Sequence, residues 1–210
     1  MNKNIILIGA GGLGKEVFGW FENDLCNNDS IKGFLDKAEP NLSNFGIKSI
    51  YLGNEYDYVF DKNDYAVITI SDIEIRNKIY TKLENKVKFT NLIHSKAIIS
   101  KNVNLGIGNI ISPNCIISNN VSIGDNNLIN IGASICHETT IKNNVVVSPH
   151  SLINGQCFVD NGVFVGSNAT IVQKSKIGSK SIIEANTLVK GDIQPNTYIC
   201  GVPGRVFLKK

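Results

Sequence analysis

Charged, aromatic and histidine residues are scarce in this chain of 210 residues. Charged side chains make up 19% of it and aromatic side chains 8%, the formal net charge is only +3, and there are three histidines. Because no basic block with interleaved aromatic residues is present, nucleic acid is a poor candidate ligand. The 42% of hydrophobic residues still suffice to bury the core of one large domain or two small ones.

Long apolar runs are missing as well. None approaches the roughly 20 residues that a membrane-spanning helix needs, and the opening "MNKNIILIGA" lacks the apolar core and cleavage site of a signal peptide. We therefore expect a cytoplasmic protein without a membrane partner. The cysteines are odd in number and form no C-x-x-C pair, which argues against a disulfide framework or a zinc site; they are Cys26, Cys115, Cys136, Cys157 and Cys200.

A repeat of six residues runs through the C-terminal half. Steps of six from Ile93 to Val189 meet Ile, Leu or Val at all seventeen positions. The residues two before these positions, from Val103 to Thr187, are small or β-branched and never charged or aromatic. Residues two apart lie on one side of a strand, whereas an α-helix with about 3.6 residues per turn cannot keep every sixth residue on one side. The repeat therefore predicts a parallel β-helix whose aliphatic side chains stack along its axis.

This repeat resembles that of the hexapeptide-repeat acyltransferases, whose left-handed β-helix has three faces per coil. At eighteen residues per coil, positions 100 to 190 would form about five coils. The ending "GDIQPNTYICGVPGRV" strengthens the likeness, because the family often closes its last coil with a G-V-P-[AG]-[KR] segment, matched here by residues 201–205. The resemblance implies acetyl-CoA as the acyl donor and a homotrimer with active sites between subunits.

The first ninety residues predict a small α/β domain. "NIILIGAGGLGKEVFGWF" reads as a buried strand, a glycine-rich turn and a helix. Gly9, Gly11 and Gly14 satisfy G-x-G-x-x-G, and together with Gly12 they would let a phosphate approach the helix N-terminus. We therefore expect a Rossmann-like half-domain that binds a nucleotide over residues 1–90, followed by the β-helix over residues 91–210.

Two further strands are predicted, "IKGFLD" (31–36) and "YAVITI" (65–70). Each delivers a polar group at its end, since Asp36 is followed by Lys37 and the other strand is followed by Ser71. Ligands of open α/β sheets bind at the carboxyl edge of the strands. These side chains are therefore candidate ligand groups, together with the glycine turn.

Two helices are predicted in the same region. The first should bury Val17, Phe18 and Phe21. The second should begin at a capping box and bury one apolar face; the box is Ser71 with Glu74, and the face is Ile75, Ile79 and Leu83.

The glycine turn allows two other interpretations. G-x-G-x-x-G followed by an acid also fits an NAD-binding domain, but about ninety residues hold only one mononucleotide half before the β-helix begins. One nucleotide therefore fits better than two. Alternatively, the glycines merely permit a tight turn from strand to helix.

The combination of the two parts resembles a narrower group, the sialic-acid O-acetyltransferases and bacillosamine N-acetyltransferases. The likeness is carried by "GAGGLGKEV", "FLDK", "IEIRNKIY", "NLIHSKAIIS" and "GASICHE". In that group the N-terminal domain holds the nucleotide of a nucleotide-linked sugar, which implies this role for the glycine turn, Asp36, Lys37 and Ser71. One departure is Leu13, which stands where the group often has a histidine, so any role of that side chain is lost.

His137 stands out in the stretch "IGASICHETTIKNN". It lies neither on the six-residue steps nor two before one, so its side chain should point outward. Acyl transfer from a thioester needs a base near pH 7, where histidine titrates, and a neighbouring carboxylate such as Glu138 can fix the imidazole tautomer. The resemblance implies that His137 is the base of a direct transfer, that Glu138 orients it and that Asn130 lies near the sugar.

The resemblance also implies contacts with CoA, made largely by the main chain, at Gly155, Ser167 and Ala185. One member of the group has a second histidine where this chain has Val146. We expect the two other histidines to be structural, His150 as a surface or corner residue and His94 at the start of the β-helix.

These observations predict an acetyl-CoA-dependent N-acetyltransferase that needs no metal. Its substrate would be a UDP-, dTDP- or GDP-linked 4-amino-4,6-dideoxyhexose for a surface glycan such as the O-antigen of lipopolysaccharide. The alternatives are O-acetylation of sialic acid and a non-catalytic trimeric scaffold. A γ-class carbonic anhydrase, which shares the fold, is disfavoured because the histidines lie 43 and 13 residues apart, unlike the zinc-ligand spacing of that enzyme.

Overall fold

The computed structural model describes residues 2–25, 29–47 and 50–208, and Cys26 lies outside them. An α/β part comes first and a parallel β-helix follows. The two parts pack against each other along one face of the β-helix.

The α/β part is built on a five-stranded parallel sheet with the strand order β3-β2-β1-β4-β5. Its elements are β1 (Asn4–Ile8), α1 (Gly12–Phe21), β2 (Ser30–Leu35), a 3-10 turn (Ser43–Phe45), β3 (Ile50–Gly53), β4 (Asp64–Ile68), α2 (Ile73–Leu83) and β5 (Lys88–Phe89). β1 is central because four successive apolar residues fill both faces of the sheet there. The strands predicted at 31–36 and 65–70 are confirmed, whereas β3 and the two-residue β5 were too short to predict.

The first helix follows the prediction. α1 buries Val17, Phe18 and Phe21 against the sheet. Among the described residues, no helix has both the length and the apolar character needed to cross a membrane.

The start of the second helix differs from the prediction. α2 begins at Ile73, and its N-cap is Asp72, whose carboxylate accepts a hydrogen bond from the backbone N–H of Ile75 at 2.9 Å. The capping box of Ser71 with Glu74 is therefore wrong. Two residues with good N-cap side chains are adjacent here, and the second of them caps the helix.

The buried face of α2 also differs from the prediction. Ile75 is 41% exposed, whereas Arg76 is completely buried together with Ile79 and Leu83. The predicted face was therefore wrong at Ile75, because the helix is rotated to direct Arg76 at the β-helix.

The β-helix consists of seventeen two-residue strands, β6 to β22, with three strands per coil. Its first face holds Leu92–Ile93, Ile110–Ile111, Leu128–Ile129, Val146–Val147, Phe164–Val165 and Ile182–Ile183; its second face holds Ile98–Ile99, Ile116–Ile117, Ser134–Ile135, Leu152–Ile153, Thr170–Ile171 and Leu188–Val189; its third face holds Asn104–Leu105, Ser122–Ile123, Thr140–Ile141, Phe158–Val159 and Lys176–Ile177. Strands of successive coils pair in parallel at a spacing of eighteen residues, as Ile117 does with Ile135. The number of coils agrees with the prediction.

The interior of the β-helix is filled as the repeat predicts. From Ile111 to Val189, every residue on the six-residue steps is at most 3% exposed. The residues two before them, from Asn109 to Thr187, are buried beside them. Ile93 departs from the pattern and is 41% exposed, because it belongs to the first coil, which has no coil beneath it.

The corners of the β-helix explain its many asparagines. Every sixth residue from Gly108 to Asn186 has a left-handed backbone, with φ between 54° and 73°. Asparagine and glycine adopt this conformation more readily than other residues, because it places an ordinary Cβ close to the following carbonyl. The corner residues include Glu138 and His150.

Apolar side chains join the two parts of the chain. On the first face, Leu92, Ile110, Leu128 and Val146 point outward and are nevertheless at most 2% exposed. They share a core with the side chains of α1 and β1. The α/β part therefore covers this face and holds the carboxyl edge of its sheet beside the later coils.

Arg76 makes the polar part of the same junction. Its guanidinium donates to the carbonyls of Ile68 (2.5 Å) and Ile70 (3.1 Å) in the α/β part and of Asn126 (2.9 Å) and Asn127 (3.3 Å) at a corner of the β-helix. Burial lowers the pKa of Arg76 to about 9, so the side chain is still charged at neutral pH. One buried side chain thus binds four carbonyls from both parts.

The last coil is closed by an antiparallel hairpin, whose turn contains the G-V-P segment. Its strands are β23 (Thr197–Cys200) and β24 (Arg205–Leu208), joined by residues 201–204. β23 pairs with Ile182–Ile183 and so extends the first face by one strand.

We expect Arg76→Met to lower the free energy of unfolding by about 3 kcal/mol, because methionine fills much of the volume but leaves buried carbonyls without donors. Urea unfolding measures the change. The control is Lys78→Met on the exposed side of the same helix, which should change stability by no more than about 0.5 kcal/mol. Equal stability of the two variants would contradict the role assigned to Arg76.

Candidate functional site

His137 lies at the corner between the second and third faces, and 59% of its side chain is exposed. Stacked turns form this corner, named here the His137 corner, at residues 119–120, 137–138, 155–156 and 173–174. The turns are tied together by the N–H of Glu138, which donates to the carbonyl of Asn119 at 3.0 Å, and by the N–H of Gln156, which donates to the carbonyl of His137 at 2.9 Å. The predicted outward orientation of His137 is confirmed.

Glu138 holds one edge of the imidazole. Its Oε2 lies 3.4 Å from His137 Nδ1 and accepts a hydrogen bond from Gln156 Nε2 at 2.7 Å. The hydrogen bond from Gln156, followed by that from His137, lowers the pKa of Glu138, so the carboxylate is ionised at neutral pH. A carboxylate at Nδ1 favours the tautomer that carries the proton there and leaves Nε2 free to accept one.

Gln156 was missed in the sequence, although a signal was present. It lies eighteen residues after Glu138, so the repeat places it directly over Glu138 in the next coil. The same rule would have found the partner of any outward side chain on these corners.

Gly155 lies against the imidazole in the same way, eighteen residues after His137. A Cβ at position 155 would lie 2.6 Å from both Cε1 and Nε2 of His137, closer than any real contact. The glycine therefore leaves the space that the imidazole occupies, with the Cε1–Nε2 edge of the ring lying against Gly155. Contact of Gly155 with CoA stays a prediction.

We expect Gly155→Ala to lower kcat by about 100-fold, because the new methyl group would push the imidazole aside, and a displacement of about 1 Å can cost that much. The melting temperature should change little, because the exposed ring can swing outward. Steady-state rates and a thermal melt measure the two effects. Gly19→Ala in α1, where a Cβ meets no atom within 4 Å, is the matched control and should keep full activity.

We expect Glu138→Gln to lower kcat roughly tenfold with KM unchanged, since the amide keeps the shape but loses the charge that favours an imidazolium. The effect is smaller than for a buried acid because water reaches this pair. Initial rates at saturating substrate test it, with Glu84→Gln on the surface of the α/β part as the control. Unchanged kcat in Glu138→Gln would remove Glu138 from the site.

The glycine turn after β1 is held by tight packing at two of its glycines. A Cβ at Gly14 would lie 2.1 Å from the carbonyl oxygen of Gly9, and Gly9 itself has φ of 109°. The Oγ1 of Thr69, which the sequence did not single out, donates to the carbonyl of Gly9 at 2.6 Å. These contacts support the interpretation that part of the motif serves a tight turn from strand to helix.

The other two glycines of the turn are different. A Cβ at Gly11 or Gly12 would meet nothing within 4 Å. Gly11 is the N-cap of α1 and provides no side chain to bind the first N–H groups of the helix. An open surface over uncapped N–H groups suits a phosphate.

Asp36 is brought to this turn, as predicted from its place at the end of β2. One carboxylate oxygen accepts the N–H of Ala10 at 2.7 Å, and the other accepts the N–H of Lys37, also at 2.7 Å. The main-chain carbonyl of Asp36 accepts a hydrogen bond from the hydroxyl of Tyr51 at 3.2 Å. Asp36 therefore shapes the glycine turn, while the Lys37 side chain is exposed beside it.

Ser71 faces a different region. It lines a cleft of about 1240 Å³ between the N-terminal turn of α2 and the β-helix, together with Asn77, Asn144, Phe164 and Lys180 among others. No hydrogen bond within the described residues joins Ser71 to the glycine turn. The carboxyl edge of the sheet thus presents the glycine turn with Asp36 on one side and Ser71 on the other.

Asn130, Ser167 and Ala185 share another corner of the β-helix. It lies between the first and second faces, at residues 130–132, 148–150, 166–168 and 184–186, and is named here the His150 corner. The Oδ1 of Asn130 accepts the N–H of Ile131 at 2.8 Å, which fixes the side chain in its own turn. The predicted base and the predicted sugar-binding residue therefore lie on opposite edges of the second face.

The remaining two histidines lie apart from each other. His94 is only 8% exposed; its ring contacts the edge of Phe21, and its Nδ1 accepts the N–H of Lys96 at 3.1 Å. His150 is an exposed corner residue, as predicted. Within the described ranges, no group of three or more His, Cys, Asp or Glu side chains could hold a metal ion.

Comparison with known families identifies the α/β part. Residues 4–83 match the PglD N-terminal domain. No curated protein matches the chain in sequence.

Solved structures match the chain over almost its whole length. The perosamine N-acetyltransferase of Caulobacter crescentus, as a variant in complex with CoA and GDP-perosamine, is 23% identical with a TM-score of 0.88, covering 98% of this chain and 97% of that one. The acetyltransferase domain of PglB from Neisseria gonorrhoeae, in complex with acetyl coenzyme A, is 19% identical with a TM-score of 0.86, covering 99% and 100%. WeeI from Acinetobacter baumannii is 20% identical with a TM-score of 0.85, covering 98% and 100%.

These matches settle the fold. The chain joins an α/β part that matches the PglD N-terminal domain to a left-handed parallel β-helix, as the sequence predicts.

Proposed function

We propose that this chain, in which a PglD N-terminal domain precedes a hexapeptide-repeat β-helix, is an acetyl-CoA-dependent N-acetyltransferase of nucleotide-linked amino sugars. The observation that carries the proposal is the exposed pair of His137 and Glu138, with Gly155 against the imidazole, on a β-helix attached to an α/β part with a glycine turn suited to a phosphate. A base, its orienting acid and a phosphate site are what this reaction requires.

The nucleotide would be held at the carboxyl edge of the α/β sheet. Its diphosphate fits the open surface over Gly11 and Gly12 at the N-terminus of α1. Asp36 keeps the turn in shape by binding the N–H of Ala10, while Lys37 and Ser71 supply polar side chains at the rim.

The chain's residues support a direct transfer. The sugar amine attacks the thioester carbonyl, a C–N bond forms, and the amine proton passes to Nε2 of His137. The C–S bond then breaks, and the CoA thiolate leaves and takes up a proton. Glu138 stabilises the imidazolium through Nδ1 during the transfer. No covalent acyl-enzyme is needed, and no metal takes part.

A homotrimer would complete the site. Most outward residues of the second face are apolar, and Ile98 and Ile116 are 65% and 46% exposed. The first face is covered by the α/β part, and the third presents polar residues such as Asn104 and Lys176. If three second faces surround a threefold axis, the His137 corner of each chain meets the His150 corner of the next. That arrangement unites His137 and Gly155 with Asn130, Ser167 and Ala185, and places the active sites between subunits.

The acceptor is proposed to be a 4-amino-4,6-dideoxyhexose on UDP, dTDP or GDP, for a surface glycan such as the O-antigen of lipopolysaccharide, with the protein in the cytoplasm. Support comes from the structure solved with CoA and GDP-perosamine, which shares the fold over nearly the whole chain. The second candidate is O-acetylation of a sialic acid by the same base. The nucleotide cradle favours the nucleotide-linked acceptor over a free sugar.

We expect CoA thiol release with one member of a panel of UDP-, dTDP- and GDP-linked 4-amino sugars. In His137→Asn this release should fall by at least about 100-fold, because the base is lost while the corner keeps its shape. Release is followed with a thiol reagent, and light scattering verifies that both proteins form the same oligomer. His94→Asn is the control, and it should lower stability more than it lowers turnover. Turnover that persists in His137→Asn would overturn the mechanism.

A further inference from the structure

His150, like His137, lies against a glycine of a neighbouring coil, although it presents a different edge of its ring. A Cβ at Gly132, one coil below, would lie 2.5 Å from Nδ1 and 2.8 Å from Cε1 of His150. The ring therefore rests on the wall of the β-helix by its Nδ1 edge, and Nε2 lies on the outer side. Only a glycine at 132 leaves space for this ring, as only a glycine at 155 leaves space for that of His137.

The left-handed backbone at His150 costs conformational free energy. Its φ is 59°, in the left-handed region that other corners fill mainly with asparagine or glycine. A histidine gains nothing from this conformation. Its imidazole is exposed and not part of the core, so packing does not explain its presence.

The two histidines lie at similar heights along the axis of the β-helix. Successive coils lie about 4.8 Å apart, and His137 and His150 are separated by less than one coil of eighteen residues. Their heights therefore differ by less than about 5 Å. Within one chain, however, they stand at opposite edges of the second face, too far apart to touch the same acyl group.

If three chains pack their second faces around a threefold axis, the two corners come together in neighbouring chains. Rotation about an axis parallel to the β-helix leaves heights unchanged, so the His150 corner of one chain would face the His137 corner of the next at nearly the same level. On the His150 corner, His150 lies above Asn130 and below Ser167 and Ala185. Under the proposed function those residues mark the sugar and CoA, so the acyl group would pass at the level of His150.

We infer that His150 of one chain completes the acyl-transfer site of its neighbour, where its Nε2–H donates a hydrogen bond to the thioester carbonyl oxygen. The inference rests on the proposed function. As the amine attacks, negative charge develops on this oxygen, and a donor aimed at it lowers the barrier without transferring a proton. When the C–S bond breaks, the carbonyl reforms and the hydrogen bond weakens.

The first test is His150→Asn, which suits the left-handed corner and should not disturb folding, since Asn168 occupies the same corner one coil above. We expect kcat to fall by about 100-fold, as for loss of one oxyanion donor, with KM for both substrates changed little. Lys86→Asn, on the exposed turn after α2 and outside both corners, is the control and should keep wild-type kcat. A kcat for His150→Asn equal to that of the control would overturn the inference.

Mixed trimers test whether the two histidines come from different chains. His137→Asn and His150→Asn chains are unfolded together in equal amounts and refolded. If each site takes His137 from one chain and His150 from the next, about a quarter of the sites are intact and activity returns to roughly a quarter of wild type. If both belong to one chain, no site is intact and activity stays at the level of the single variants, which would also overturn the inference.

The wild-type protein distinguishes a failure of the proposed function from a failure of the role of His150. A wild-type protein that is monomeric, or that releases no CoA with any sugar of the panel, refutes the proposed function before His150 is tested. A trimeric, active wild type with a fully active His150→Asn refutes only the role of His150.

Discussion

Hydrogen bonds between successive coils, eighteen residues apart, are the constraint on which the candidate site depends. They fix the height of every corner residue, so that each side chain on the wall has one defined neighbour above and one below. Gly155 lies over His137, Gln156 over Glu138 and His150 over Gly132 for this reason. A side chain held in this way needs no loop to position it, because the repeating backbone does so.

The second constraint is the attachment of the α/β part to the β-helix. Four outward apolar residues of the first face are buried under α1, and Arg76 binds carbonyls of both parts. The charged guanidinium is tolerated inside because all its contacts are carbonyl oxygens. A nucleotide held at the glycine turn would therefore stand at a defined distance from the β-helix corners.

Much of this arrangement could be predicted from the sequence. The six-residue period has a single structural solution, so the β-helix, its buried residues and the outward direction of His137 all followed from it. The glycine turn and Asp36 were found together because parallel strands end at one edge of a sheet. Gln156 and the contact of Gly155 with His137 were within reach of the same reasoning, since both residues lie one coil from His137 and Glu138.

Other features depend on contacts between distant segments. Asp72 and Ser71 are both good N-caps, and local sequence does not decide between them. The sequence did not single out Arg76, because charged residues seldom are buried and its burial depends on distant carbonyls, among them those at 126 and 127. The division of the site residues between two corners also became visible only when the faces were assigned.

The central claim is that a nucleotide-linked amine, and not a hydroxyl, is acetylated at the His137 corner. The most direct measurement is mass spectrometry of the product formed from isotopically labelled acetyl-CoA, before and after treatment with hydroxylamine, which cleaves acetyl esters and spares acetyl amides. The account predicts one labelled acetyl group on the sugar that survives the treatment and is not formed by His137→Asn. A label that hydroxylamine removes, or one that still forms without His137, would contradict it.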